Sequence, residues 1–205
     1  AGHTIDTVNV GGGYCMSYTG KEVIGPADYA EAMAPVLEKM GCRIIIEPGR
    51  HIAGPAGVLL VRVLYVKERD DGKTFVICDG GMNDLMRPTL YGAYHRVWPT
   101  EVSAGIPEVM EPDATGFEGY ETEIVDVVGP ICESGDFFAK DRPLPKVTEK
   151  DVLAVFDVGA YGFTMSSNYN AHLRPPEVIV RDGEAHMARQ RERYEDLILS
   201  ETENM

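Results

Sequence analysis

Apolar positions recur along this chain with two different periods, and the change between them divides it. Thr7-Val8-Asn9-Val10 is a short apolar run that ends in Gly11-Gly12-Gly13, and Ile44-Ile45-Ile46 ends in Glu47-Pro48-Gly49-Arg50. Both read as strands closed by turns. Between them Tyr29, Met33, Val36, Leu37 and Met40 fall at helical spacing, with Pro26 in the first turn, Asp28 and Glu31 near the start and Gly41 placed to cap the end. Pro35 lies inside this helix and should kink it. The order strand, glycine loop, helix, strand is a βαβ unit, which requires a parallel pair with a helix over one face. Two parallel strands do not make a domain, so partner strands are expected in a portion preceding Ala1, or else the sheet is unusually small.

After Gly57 the pattern changes to short β-rich runs. Val58–Val66 and Thr74–Cys78 flank Asp70-Asp71-Gly72-Lys73 and predict a hairpin. Further strands are predicted at Thr122–Val128, Asp151–Val158 and Glu177–Val180, so 58–182 reads as an antiparallel β domain. The stretch Thr100–Tyr120, rich in Pro, Gly and acidic residues, predicts an irregular loop. In Glu184–Leu199, Met187, Arg191, Tyr194 and Ile198 recur at helical spacing and predict a surface helix.

Composition narrows the function classes. With 205 residues, 44% hydrophobic and 25% charged, the chain has the make-up of a soluble globular protein. No run approaches the ~20 apolar residues of a membrane span, and Ala1-Gly2-His3-Thr4 resembles no signal peptide, so a cytoplasmic protein without membrane contact is expected. Cys15, Cys42, Cys78 and Cys132 are widely spaced, which predicts neither disulfides nor a metal site. A net charge of −14 argues against a nucleic-acid partner, although positive charge can still be local to a site.

The two strand ends carry the candidate chemistry. Gly11, Gly12 and Gly13 leave backbone N–H groups unshielded, as phosphate-holding loops do. One βα unit later, Glu47-Pro48-Gly49-Arg50 supplies a carboxylate, a sharp turn and a guanidinium. A pyridoxal phosphate needs those groups for its ring nitrogen and its phosphate.

Three later segments are too particular for plain packing: Met82–Tyr91, Gly129-Pro130-Ile131-Cys132-Glu133-Ser134-Gly135-Asp136, and Asp157-Val158-Gly159-Ala160-Tyr161-Gly162. Taken in order with the glycine triplet and Glu47–Arg50, they give a chain that resembles the C-terminal half of the diaminopimelate decarboxylases, pyridoxal 5'-phosphate enzymes of the alanine-racemase-like fold. The resemblance implies the last strands of a PLP-binding (β/α)8 barrel in residues 1–57, followed in 58–205 by a C-terminal antiparallel β-barrel or sandwich domain with a terminal helix. It implies a carboxy-lyase converting meso-2,6-diaminopimelate to L-lysine, the last step of lysine biosynthesis.

It also assigns roles. Gly11, Gly12 and Gly13 with Pro48, Gly49 and Arg50 would hold the phosphate, aided by the Tyr161 hydroxyl, and Glu47 would accept from the pyridine N–H. Cys132 would be the acid that returns a proton after CO2 loss. Arg50, Arg87, Tyr91, Glu133 and Tyr161 would hold the substrate. A homodimer is implied, with Cys132 and Glu133 reaching the partner's cofactor. Cys15, Cys42 and Cys78 read as packing residues, and His51, His95, His172 and His186 as ordinary surface or packing histidines, with His51 placed to line the pocket.

One departure matters most. No lysine here matches the family's Schiff-base lysine, since Lys21, Lys39, Lys67, Lys73, Lys140, Lys146 and Lys150 all lie in polar or turn contexts. The chain is therefore expected to be part of a longer enzyme and inactive by itself. Ornithine, arginine or carboxynorspermidine decarboxylases, or a non-catalytic decarboxylase-like binding protein, are the alternatives.

Overall fold

The computed structural model describes residues 2–201. Strand β1 (Thr7–Asn9) and strand β2 (Arg43–Ile45) pair in parallel, Val8 opposite Ile44. Helix α1 (Pro26–Leu37) joins them, and the Asp28 carboxylate accepts a 3.0 Å bond from the Gly25 amide at its start. The helix continues past Pro35 and tightens into a 3-10 turn over Glu38–Met40, closed by Gly41 at φ 62°, a left-handed conformation that glycine adopts without strain. The expected βαβ order is therefore present. A short helix α2 (Gly49–Ala53) follows directly from the Glu47-Pro48 turn.

The rest is built around one six-stranded sheet. Its members are β3 (Leu59–Glu68), β4 (Thr74–Cys78), β5 (Val97–Pro99), β6 (Glu123–Val128), β7 (Phe137–Leu144) and β8 (Val152–Val155), in spatial order β5-β8-β3-β4-β6-β7. The predicted β3–β4 hairpin forms, with Glu68 opposite Thr74. The expectation of a purely antiparallel domain is corrected at one place, where β4 and β6 run parallel. Parallel neighbours need a long crossover, and residues 79–122 supply it, carrying helix α3 (Arg87–Tyr91), β5 and the irregular loop. β7 curls back against β5, so the sheet nearly closes on itself.

Inward-facing residues of this sheet form the core, including Val61, Val63, Val76, Trp98, Val127, Phe138, Leu144 and Leu153. Trp98 stacks edge-on against Phe117 and Tyr120 at 5.6 and 5.3 Å and donates its indole N–H to the Gly105 carbonyl. The predicted irregular loop is thus fastened to the core by one buried aromatic. β5 and β7 were not legible in the sequence because Pro99 and Pro143 break their strand signature. The strand expected over Asp151–Val158 stops at Val155, because Asp157 takes a left-handed φ of 63° that no strand accommodates.

The predicted terminal helix over Glu184–Leu199 is also corrected. β9 (Glu177–Arg181) and β10 (Glu184–Arg189) form a hairpin, and only Tyr194–Leu197 is helical, as α4. The deciding signal is the dipeptide Asp182-Gly183, whose φ values of 53° and 80° suit a two-residue hairpin turn. Every residue of β10 is exposed, so no buried face imposed a period of two on its sequence.

The βαβ unit meets the sheet at a contact between backbones. The Val158 and Gly159 amides donate to the Gly57 and Gly54 carbonyls, both at 3.0 Å. A methyl on Gly57 would sit 2.5 Å from Gly159 Cα, and one on Gly159 would enter the Ala53 carbonyl oxygen. Gly159→Ala should therefore lower unfolding stability by about 1–3 kcal/mol, the usual cost of forced overpacking. Urea melts showing an unchanged midpoint would contradict this close approach.

Candidate active site

Asn9, the last residue of β1, organises the first strand end. Its side-chain oxygen accepts from the Gly11 amide at 2.8 Å, and its Nδ2 donates to Glu47 Oε1 at 2.7 Å. The Glu47 amide in turn donates to the Gly11 carbonyl at 2.8 Å. The glycine triplet and the Glu47-Pro48-Gly49-Arg50 turn are thus fastened edge to edge. Gly11 and Gly13 have φ of +75° and +91°, and a Cβ on Gly12 would lie 2.6 Å from the Glu47 carbonyl oxygen. A side chain would be strained at Gly11 and Gly13 and would collide with backbone at Gly12.

These residues border an open cleft of about 780 Å³, which brings together Gly12, Gly13, Glu47, Pro48, Gly49, Arg50 and Tyr161, with Tyr14 and His51 at its sides. Gly11 sits directly behind, bonded to Asn9 and Glu47. His51 Nδ1 lies 2.6 Å from the Cys15 carbonyl, so this imidazole is fixed beside Arg50. Tyr161 arrives from the sheet on the loop that follows β8. That loop is held at its base by Asp157, which pairs with Arg96 at 3.1 Å, and by the Gly57–Gly159 contact. Burial raises the Asp157 carboxyl above its ordinary range, and Arg96 opposes that rise.

Arg87 opens α3 and is only 6% exposed. Its Nη1 donates to the Tyr18 hydroxyl and to His95 Nε2, each at 3.0 Å, and its guanidinium lies 6.0 Å from the Tyr161 ring. Among the described residues it has no carboxylate partner. Tyr91, at the other end of α3, is exposed.

Cys132 and Glu133 stand apart, outside the lining of this cleft. They lie exposed on a loop that the buried Asp136 gathers by accepting from the Met82 and Ile131 amides at 2.7 and 2.6 Å. Thr89 of α3 bonds the Gly135 carbonyl, so the loop rests on the helix that carries Arg87. Glu133 Oε2 is 3.5 Å from the Tyr169 hydroxyl.

Two residues of this arrangement escaped sequence reasoning. Asn9 had a readable signal, a polar side chain at the end of an apolar run just before the glycines. His95 had none, because nothing near it in sequence marks its fully buried position. Its Nδ1 donates to the Phe156 carbonyl at 2.9 Å, its own carbonyl accepts from Arg142, and its ring meets Tyr18 edge-on at 5.3 Å.

Residues 8–159 match the family model described as "Pyridoxal-dependent decarboxylase, C-terminal sheet domain". The chain belongs to this family. It is 39% identical over 198 residues to a diaminopimelate decarboxylase of Aquifex aeolicus, a match covering 96% of this chain and 43% of that protein. It is 42% identical to one of Archaeoglobus fulgidus, over 96% of this chain and 45% of that protein. A crystal structure of diaminopimelate decarboxylase from M. jannaschii in complex with L-lysine superposes with a TM-score of 0.85 at 38% identity, over 98% of this chain and 44% of that one. The chain spans under half the length of these relatives.

Burial, reinforced by the charges of Arg87 and Arg142, pushes the His95 imidazole down from 6.5 to about 4. A histidine with a lowered folded pKa is protonated first in the unfolded chain, so stability should fall as pH drops from about 6.5 to about 4 and level off below. The shift corresponds to an effect of about 3 kcal/mol at most. His95→Gln should flatten this part of the pH–stability curve. Parallel curves for variant and parent in urea unfolding would show that His95 contributes nothing to it.

Proposed function

We propose that this chain is the C-terminal part of a pyridoxal 5'-phosphate-dependent decarboxylase that converts meso-2,6-diaminopimelate to L-lysine. Residues 1–57 complete the cofactor-binding barrel and 58–205 form the sheet domain. The groups at the cleft suit the cofactor. The glycine loop and the Pro48-Gly49-Arg50 turn would take its phosphate, with the Tyr161 hydroxyl beside them. Asn9 occupies Glu47 Oε1 and leaves Oε2 to accept from a ring N–H. Once bound, the cofactor supplies the sink for the electron pair left as CO2 departs.

The observation that carries the substrate assignment is Arg87, a buried guanidinium without a carboxylate partner among the described residues. Diaminopimelate has a second amino-acid head at its far end, and its distal carboxylate would complete the ion pair. Arg50, Tyr91 and Tyr161 would complete the grip, and Glu133 would take the distal ammonium. A site whose charges are completed only by the right substrate rejects analogues that lack them far more strongly than an apolar pocket does.

Cys132 Sγ would return a proton to the carbon that lost CO2, a role worth roughly 10²–10⁴ in rate. Cys132 and Glu133 are exposed and do not line the cleft of their own chain, which favours a homodimer in which each protomer completes its partner's site. The lysine that anchors the cofactor would come from the portion shared by the longer relatives.

Arg87→Ala in the full-length enzyme should lower kcat/KM for diaminopimelate by about a hundredfold or more, within the ~2–5 kcal/mol typical of a broken buried pair, with the cofactor's absorbance unchanged. Unaltered kcat/KM, or ornithine turned over as fast as diaminopimelate by the parent enzyme, would hand the assignment to the ornithine and arginine decarboxylases. Mixing inactive Cys132→Ala enzyme with enzyme lacking the anchoring lysine should restore part of the activity, because one site of the mixed dimer is intact. An active monomer in sedimentation would exclude shared sites.

A further inference from the structure

Arg87 is held by two groups, and neither carries a negative charge. The Tyr18 hydroxyl and His95 Nε2 each take a bond from the same Nη1 at 3.0 Å. The protonation of His95 follows from its partners. A guanidinium can only donate, so Nε2 must present its lone pair, and the Phe156 carbonyl can only accept, so Nδ1 must carry the hydrogen. The imidazole is fully buried, and the charged groups facing it are Arg87 itself and Arg142, which donates to the His95 carbonyl at 2.9 Å. Both cations oppose protonation of the ring.

A carboxylate at position 95 would hold Arg87 as firmly, but it would neutralise the guanidinium and compete with an incoming anion. We propose that His95 is a positioning residue, a buried neutral acceptor that orients Arg87 while leaving its charge free for the carboxylate of a bound amino acid. Tyr18 does the same from the segment that follows the glycine triplet. The selectivity for a ligand carboxylate thus depends on a residue that never touches the ligand. This rests on the reading that Arg87 receives the distal carboxylate of diaminopimelate, a group that L-lysine retains and 1,5-diaminopentane lacks.

The test uses the full-length, cofactor-loaded enzyme, with L-lysine and 1,5-diaminopentane as competing ligands. His95→Gln keeps a neutral acceptor and should leave the inhibition constant for lysine within about threefold, whereas His95→Glu, by supplying a rival carboxylate, should weaken lysine about tenfold or more. In His95→Glu the KM for diaminopimelate should rise with the lysine constant. Diaminopentane binding and the cofactor's absorbance should stay near those of the parent.

Equal lysine binding by the Gln and Glu variants, or lysine and diaminopentane weakened together, would overturn the proposal and leave a purely structural histidine. A parent enzyme with no preference for lysine over the diamine would instead overturn the Arg87 reading on which it rests. Should the variants fail to fold, nitrogen NMR of histidine-labelled parent enzyme decides independently. A bare Nε2 and a protonated Nδ1 are expected, and a proton on Nε2 would refute the arrangement.

Discussion

The approach of Gly57 to Gly159, backbone against backbone, is the constraint on which the cleft depends. The two hydrogen bonds from the Val158 and Gly159 amides to the Gly57 and Gly54 carbonyls fix the end of α2 to the loop after β8 with no side chain between them. Glu47 and Arg50 lie before this contact in the chain, and Tyr161 lies just beyond it. Groups separated by more than a hundred residues therefore share one cleft because Gly57 and Gly159 carry no Cβ. Side chains at this junction would separate the strand-end chemistry from the tyrosine.

Buried polar groups then fix the loops that a β framework leaves free. Asp136 ties the Gly129–Gly135 segment to Met82, Asp157 pairs with Arg96 below Tyr161, and Lys73 reaches the buried Asp126 at 2.9 Å. Each of these carboxylates is satisfied by amides or by a cation, as burial requires. Gly81 and Gly129 lie against Asp136, where any added Cβ would fall within 2.6 Å of its oxygens. The glycines beside the cysteine loop thus make room for a carboxylate, and that carboxylate holds Cys132 and Glu133 outward.

The electrostatics run against the net charge. The chain carries −14 overall, yet the buried cation of Arg87 has no carboxylate partner among the described residues. Its neighbours Tyr18 and His95 offer lone pairs without charge, and the tyrosine and histidine rings complete its surroundings. A guanidinium in that setting keeps its attraction for an anion, because the low-dielectric surroundings neither screen nor neutralise it.

The sequence by itself determined the local pieces whose cause is local. A glycine triplet after an apolar run, Pro and Asp at a helix start, Gly41 at its end and the Asp-Gly turn between β3 and β4 act over a few residues, so each was legible. The order of its five motifs was legible as a family pattern as well. What failed had non-local causes. β5 and β7 are strands despite their prolines because neighbouring strands supply their hydrogen bonds, and β4 pairs parallel with β6 because the chain between them crosses over. The solvent-exposed β10 showed no period of two, and its Asp182-Gly183 turn outweighed a weak helical one. Only the tertiary structure decided that His95 is buried against Arg87, that Asn9 holds Glu47, and that Tyr161 joins the strand ends while Cys132 lies outside the cleft lining. Those relations are distances between segments far apart in the chain, and packing alone sets them.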